Sequence, residues 1–240
     1  MAPVTHMEDV WIGNLHGWFS RGSTYIAPVT HMEDVWIGNL HGWFLQGSTN
    51  KIVMICHGNA GNITFCQSII KNMNNNGYSV LIFDYSGYGQ SKGGPSETGM
   101  YHDGSMFLEY LIKTYPKDDI VLFGYYMGAS VAEQLAVKYI MPTLIMLSPL
   151  PSIKSLMANI FSPLKYLGSI FYEFDTESLL KVYKGRSLIL HSKYDEIIPY
   201  EIICDMKKTA TQFMDIEGSH NNPKIKWVDV NKFILKRESV

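Results

Sequence analysis

Four short segments carry the residue types that chemistry needs. Gly124-Tyr125-Tyr126-Met127-Gly128 lies between an apolar run, Ile120–Phe123, and a helical pattern over Ser130–Tyr139. Two glycines so spaced at a strand-to-helix turn make room for a strained bend. In the form Gly-x-Ser-x-Gly that bend lifts a nucleophile above a sheet. Here the central residue is Tyr126. His57-Gly58-Asn59-Ala60-Gly61-Asn62 follows the run Ile52–Cys56. Its glycines let backbone N–H groups turn into a cavity, which suits an oxyanion site. A phosphate loop would end in Lys-Ser/Thr, which is missing. The segment Asp84–Ser91 is, alone, an ordinary glycine-rich turn. Asp195 follows the run Ser187–His191, and His220 sits in a loop of Gly, Asn and Pro. An elbow, then an acid, then a histidine is the chain order in which such machinery recurs.

The elements that must hold these loops are legible from periodicity. The apolar runs Ile52–Cys56, Ser79–Phe83, Ile120–Phe123, Leu144–Leu147 and Ser187–His191, with a less clear one at Gln212–Ile216, alternate with helical patterns. The helices are expected at Thr64–Asn75, Tyr101–Thr114 and Ser130–Tyr139. Strands separated in this way predict an α/β fold with a mostly parallel sheet flanked by helices, and functional loops at the strand C-termini. Ahead of it, Val35–Ile37 and Leu40–Phe44 around Gly38-Asn39 predict an antiparallel hairpin. About forty residues between Leu147 and Ser187, with prolines at their joints, predict a small helical cap at about 149–180. It would include Ile153–Phe161 and Leu164–Phe174. The alternative is a crossover helix with a long loop.

The hairpin sequence occurs twice. Ala2 to Phe19 reads APVTHMEDVWIGNLHGWF, and Ala27 to Phe44 repeats it 25 residues on. Two copies are too few for a solenoid, which needs about three. Residues 1–26 are therefore expected to be a peripheral, duplicated leader and 27–240 the domain. Strand exchange by the leader with another chain is the other reading, and the oligomeric state stays open.

Composition removes several classes. With 46% hydrophobic and 18% charged residues, the chain is not of disordered type. A net charge of −2 argues against nucleic acid as a partner. No run approaches the roughly 18–20 apolar residues of a transmembrane segment. No secretory signal is visible, and three widely spaced cysteines fit a reducing, cytoplasmic location. The histidines show no ligand spacing, so no metal and no cofactor is expected.

Taken together, EDVWI and LHGWF (Glu33–Phe44), CHGNAGN (Cys56–Asn62), Phe83–Asp103, GYYMGAS (Gly124–Ser130), SPLPSI (Ser148–Ile153), LILHSKYDEIIP (Leu188–Pro199) and GSHNNP (Gly218–Pro223) resemble the α/β-hydrolase superfamily. They look closest to small serine hydrolases of the depalmitoylase-like kind. The resemblance covers about Glu33 to Phe233. It implies hydrolysis of a small-molecule or lipid-acyl ester or thioester through an acyl-enzyme. Tyr126 would stand at the nucleophile position, with His220 as general base and Asp195 orienting it. The backbone N–H groups of Asn59 and Met127 would form the oxyanion hole, and Gly124 and Gly128 would be the elbow glycines. His57, Gly58, Tyr88, Tyr125, Leu150 and Ile153 would border the substrate pocket. The cap's Leu150, Ile153, Leu156, Met157, Ile160 and Phe161 suit an acyl-binding wall or plain core. Ser86 and Ser192 depart from the Arg and Gly usual in these relatives.

Tyr126 is the larger departure. A phenol, with a pKa of about 10, is acidic enough, but its oxygen lies several ångströms farther from Cα than a serine oxygen. Misplacement by roughly 1 Å can already cost about a hundredfold in rate. Three readings stay open: a serine esterase or thioesterase scaffold whose nucleophile has been lost or replaced, a natural pseudo-hydrolase binding an acyl ligand or protein partner, and an enzyme with a tyrosine nucleophile. Ser130, four residues on along the expected helix, and Ser148, after a neighbouring strand, are the candidate substitutes.

Overall fold

A computed structural model describes residues 32–59, 61–160 and 172–236. The leader, Phe161 and most of the segment Leu164–Phe174 lie outside the described residues, as do the side chains of Met157 and Ile160.

The hairpin forms as β1 (Glu33–Ile37) and β2 (Leu40–Leu45), turning at Gly38-Asn39 with Gly38 at φ 61°. The apolar runs become β3 (Ile52–Cys56), β4 (Ser79–Phe83), β5 (Ile120–Tyr125), β6 (Thr143–Leu147), β7 (Arg186–Ser192) and β8 (Gln212–Ser219). A short β9 (Asn222–Lys224), which periodicity did not suggest, closes the sheet. Among the described residues the sheet has nine strands in the order β1-β2-β4-β3-β5-β6-β7-β8-β9. Strands β3 to β8 run parallel, whereas β2 on β4 and β9 on β8 are antiparallel.

The expected helices appear, shifted by a few residues: α1 (Gln67–Asn75, after a short 3-10 turn at Ile63–Cys66), α2 (Glu97–Ile112) and α3 (Met127–Tyr139). Two helices, α4 (Ile153–Ile160) and α5 (Thr176–Val182), lie between β6 and β7. After β7 come α6 (Cys204–Thr209) and the last helix, α7 (Trp227–Leu235). Among the described residues no helix is long and apolar enough to cross a membrane.

Strand alternation splits the core into two layers. Met54, Leu81 and Leu122 pack on the side of α2 and α3, and Val53, Ile55, Val80 and Val121 on the side of α1 and α7. All of these are buried, which accounts for the unbroken apolar runs of a sheet covered on both faces.

The topology also fixes where a site can lie. From β3 the chain steps to β4 on one side and returns to β5 on the other. Beyond the carboxyl ends of strands that diverge in this way, a crevice opens. Cys56 of β3 pairs in register with Gly124 of β5, so the loop after His57 and the turn at Tyr126 emerge side by side.

Candidate active site

Tyr126 has φ 54° and ψ −119°, between the last residue of β5 and the first of α3. This is a sparsely populated conformation for a residue with a side chain, and it costs of order 1–3 kcal/mol. It persists because its surroundings leave no other path. The Tyr126 N–H donates to the Leu147 carbonyl at 3.0 Å, and its own carbonyl accepts from Ala129 N–H at 3.1 Å. A Cβ at Gly124 would collide with the backbone of Gly128 and Ala129, and one at Gly128 with the carbonyls of Cys56 and His57. Both elbow glycines are thus required by close approach. Met127 opens α3, where the first N–H groups have no partner within the helix.

The loop after β3 packs against the turn at Tyr126. A Cβ on Gly58 would lie 3.4 Å from both the Tyr125 carbonyl and the Tyr126 Cβ. Asn59 is half-buried, and its side-chain oxygen accepts from the Tyr88 hydroxyl at 3.0 Å.

Asp195 and His220 meet. The Nδ1 of His220 lies 2.8 and 2.9 Å from the two Asp195 carboxylate oxygens. One of those oxygens also accepts from the Ile197 and Ile198 N–H groups, at 3.0 and 2.7 Å. Burial pushes the Asp195 carboxyl up, but the His220 hydrogen bond and charge and these two N–H groups outweigh it. The net pKa lies below the usual carboxylate range. With Nδ1 engaged by Asp195, His220 keeps Nε2 for proton transfer.

His220 sits at a tight turn rather than in a long loop. It and Asn221 join β8 to β9, with Ser219 opposite Asn222. Three contacts fix the turn. The His220 N–H donates to Glu196 Oε2 at 3.0 Å, the His220 carbonyl accepts from the Tyr125 hydroxyl at 3.0 Å, and Ser192 Oγ donates to the Gly218 carbonyl at 2.5 Å. Glu196 carried no sequence signal beyond its adjacency to Asp195. Ser192, in the place of a usual glycine, supplies a tether that glycine lacks.

Tyr126 does not reach His220 through its hydroxyl. The two rings stand edge to face, 5.2 Å between centroids at 88°, and among the described residues no hydrogen bond joins the phenol to the imidazole. Burial, then the nearby Asp195 charge, pushes the Tyr126 phenol up to about 12. The serines weighed as substitutes are both buried. Ser130 is bonded to the Thr176 hydroxyl, and Ser148 Oγ has no partner among the described residues. Of the expected pocket residues, Gly58 and Tyr125 adjoin the elbow, whereas the side chains of His57, Tyr88, Leu150 and Ile153 are buried.

Residues 47–187 match the family described as serine aminopeptidase, S33. The chain belongs to this family of α/β-hydrolases. An uncharacterised protein of Acanthamoeba polyphaga mimivirus is 36% identical over 203 residues, which cover 73% of this chain and 68% of that one. The protein bem46 of Schizosaccharomyces pombe is 36% identical over 160 residues, 60% of this chain and 50% of its own length. The chain therefore spans between half and about two thirds of these relatives. The solved esterase Pf2001 of Pyrococcus furiosus superposes with a TM-score of 0.68 at 19% identity, covering 85% of this chain and 92% of the esterase. At that identity the likeness is one of fold, and it agrees with the mostly parallel sheet and its antiparallel N-terminal strands.

Proposed function

We propose that this S33-family hydrolase chain is a serine esterase or thioesterase scaffold that is inactive as it stands, because Tyr126 occupies the nucleophile position. In this reading His220 is the general base, Asp195 orients it, and the N–H groups of Asn59 and Met127 are the oxyanion donors. The parent reaction is attack by a hydroxyl at the elbow on an ester or thioester carbonyl, with His220 Nε2 taking the proton and giving it to the alcohol or thiol that leaves as the C–O or C–S bond breaks. Water, deprotonated by His220, then hydrolyses the acyl-enzyme and frees the carboxylic acid.

The observation that carries the reading is the edge-to-face contact of Tyr126 with His220. A phenol not bonded to the base, with its pKa raised to about 12, stays protonated and unactivated at neutral pH. The intact Asp195–His220 pair argues that only the nucleophile is missing.

Hydrolysis of p-nitrophenyl butyrate tests this. The chain as given should show no turnover above that of its His220→Ala variant. Turnover that His220→Ala abolishes would overturn the reading, and its further loss in Tyr126→Phe would support Tyr126 as the nucleophile.

A further inference from the structure

A line of alternating carboxylates and imidazoles runs from the surface of the hairpin to the loop beside the elbow. It starts at Asp34, whose exposed carboxylate lies 2.7 Å from His41 Nε2 and accepts from the Trp43 indole at 3.1 Å. His41 is buried, and its Nδ1 lies 3.5 Å from Asp84 Oδ2. Asp84, buried just after β4, has its other oxygen 3.9 Å from His57 Nε2, too far for a hydrogen bond, and that nitrogen has no partner among the described residues. His57 Nδ1 in turn lies 2.8 Å from the Gly58 carbonyl. Since that carbonyl can only accept, Nδ1 carries the hydrogen.

Asp84 and its neighbours grip the loop at both ends. Asp84 Oδ1 accepts from the Ile63 N–H at 3.0 Å, beyond the loop's far end, and Oδ2 accepts from Gln90 N–H at 3.3 Å. The Tyr85 hydroxyl donates to the His57 carbonyl at 3.1 Å, and the Tyr88 hydroxyl to the Asn59 side chain at 3.0 Å. The His57 ring packs on Tyr85 and Tyr88, with centroids 4.5 and 5.5 Å away. Asp84 is itself tied to the hairpin through its N–H on the His41 carbonyl, at 2.9 Å. Ser91 Oγ accepts from His41 N–H at 2.9 Å and donates to the Asp84 carbonyl at 2.6 Å. A buried carboxylate and two buried imidazoles are expensive to keep unless they do something for the site. What they reach is the one loop that must present N–H groups to an oxyanion within a few tenths of an ångström.

We propose that Asp84 and His57 are positioning residues for the Gly58–Asn59 loop, and that His41 carries this support from the hairpin of β1 and β2. Neither touches a substrate. They hold the peptide planes from which the N–H groups project. The catalytic half of the inference rests on the reading that the elbow is a nucleophile site. The geometric half does not.

Two variants test it, Asp84→Asn and His57→Phe, the second keeping the ring and removing both nitrogens. In the chain as given, nitrogen NMR of the imidazoles should show His57 as the neutral tautomer protonated at Nδ1. Amide exchange at residues 58–63 should rise at least tenfold in each variant, with exchange in β3 and β5 unchanged. Unaltered loop exchange in both folded variants would overturn the proposal whatever the activity. In a Tyr126→Ser background, either change should lower kcat and the rate of fluorophosphonate labelling about ten- to hundredfold while KM stays within twofold. Normal labelling in both would also overturn it. A Tyr126→Ser chain that never labels would refute the nucleophile reading alone, and the exchange measurement would still decide the loop.

Discussion

The Tyr126 ring meets the His220 imidazole edge to face, 5.2 Å between centroids, while His220 keeps both short contacts to Asp195. The imidazole and the carboxylate are paired, and among the described residues the phenol beside them shares no hydrogen bond with either. The elbow fixes the Tyr126 backbone, and the ring it carries meets the imidazole by edge contact rather than through a hydrogen bond.

The elbow's backbone should be intolerant of any added carbon. Gly128→Ala drives a Cβ into the Cys56 and His57 carbonyls, whereas Gly94, on an exposed turn, has nothing within 4 Å of such an atom. Overpacking costs about 1–3 kcal/mol. Urea unfolding should show Gly128→Ala destabilised by at least that much, and Gly94→Ala within about 0.5 kcal/mol of the parent.

Glu133, fully buried on α3, has no hydrogen-bond partner for either oxygen among the described residues. Burial, with Asp175 nearby, raises its carboxyl well above the usual range. The folded state then holds a proton that the unfolded state releases above about pH 4.3. Stability therefore falls as pH rises past that point toward the folded pKa. Replacing the group with an apolar one of similar shape, Glu133→Met, should stabilise at pH 7 by about 1–3 kcal/mol. Thermal denaturation at pH 5 and pH 7 should show the smaller gain at pH 5.

Two buried histidines act in the opposite sense. Burial, only partly offset by Asp84 and the Gly58 carbonyl, lowers the pKa of His57. Burial against Asp195 and the Ile198 carbonyl does the same for His191. Each stays neutral in the folded state and gains a proton on unfolding below about pH 6.5. Their contribution is complete above that pH and is lost as pH falls toward the folded pKa, at up to about 1.4 kcal/mol per pH unit for each. Denaturant titrations from about pH 6.5 to pH 5 should show a net decline, because two histidines outweigh the opposing Glu133, and His57→Phe with His191→Phe should reverse it, leaving the Glu133 trend.

Much of this fold is legible in the sequence. The buried strands read as continuous apolar runs because the sheet is covered on both faces. The turn at Tyr126, Asp195 and His220 stand out in the sequence because each follows a strand, and the fold brings Asp195 and His220 together. Other features left no periodic trace. Strand β9 is three residues long with a proline at its centre, and it pairs only because the turn at His220 folds it back. Glu196 acts through a hydrogen bond from the His220 N–H, and Asp84 through one from the Ile63 N–H besides that from the nearby Gln90 N–H; contacts as distant in sequence as those to His220 and Ile63 are encoded by no local pattern. Leu150 and Ile153, offered as pocket wall or core, are buried against the main apolar layer, where core packing accounts for them.

The central claim is that this chain lacks only its nucleophile. The most direct measurement is covalent labelling by a fluorophosphonate probe of three purified, folded proteins: the chain as given, Tyr126→Ser, and Tyr126→Ser with His220→Ala. The account predicts labelling of Tyr126→Ser alone, with one equivalent bound at position 126. A folded Tyr126→Ser protein that takes up no probe, or equal labelling of all three, would contradict it.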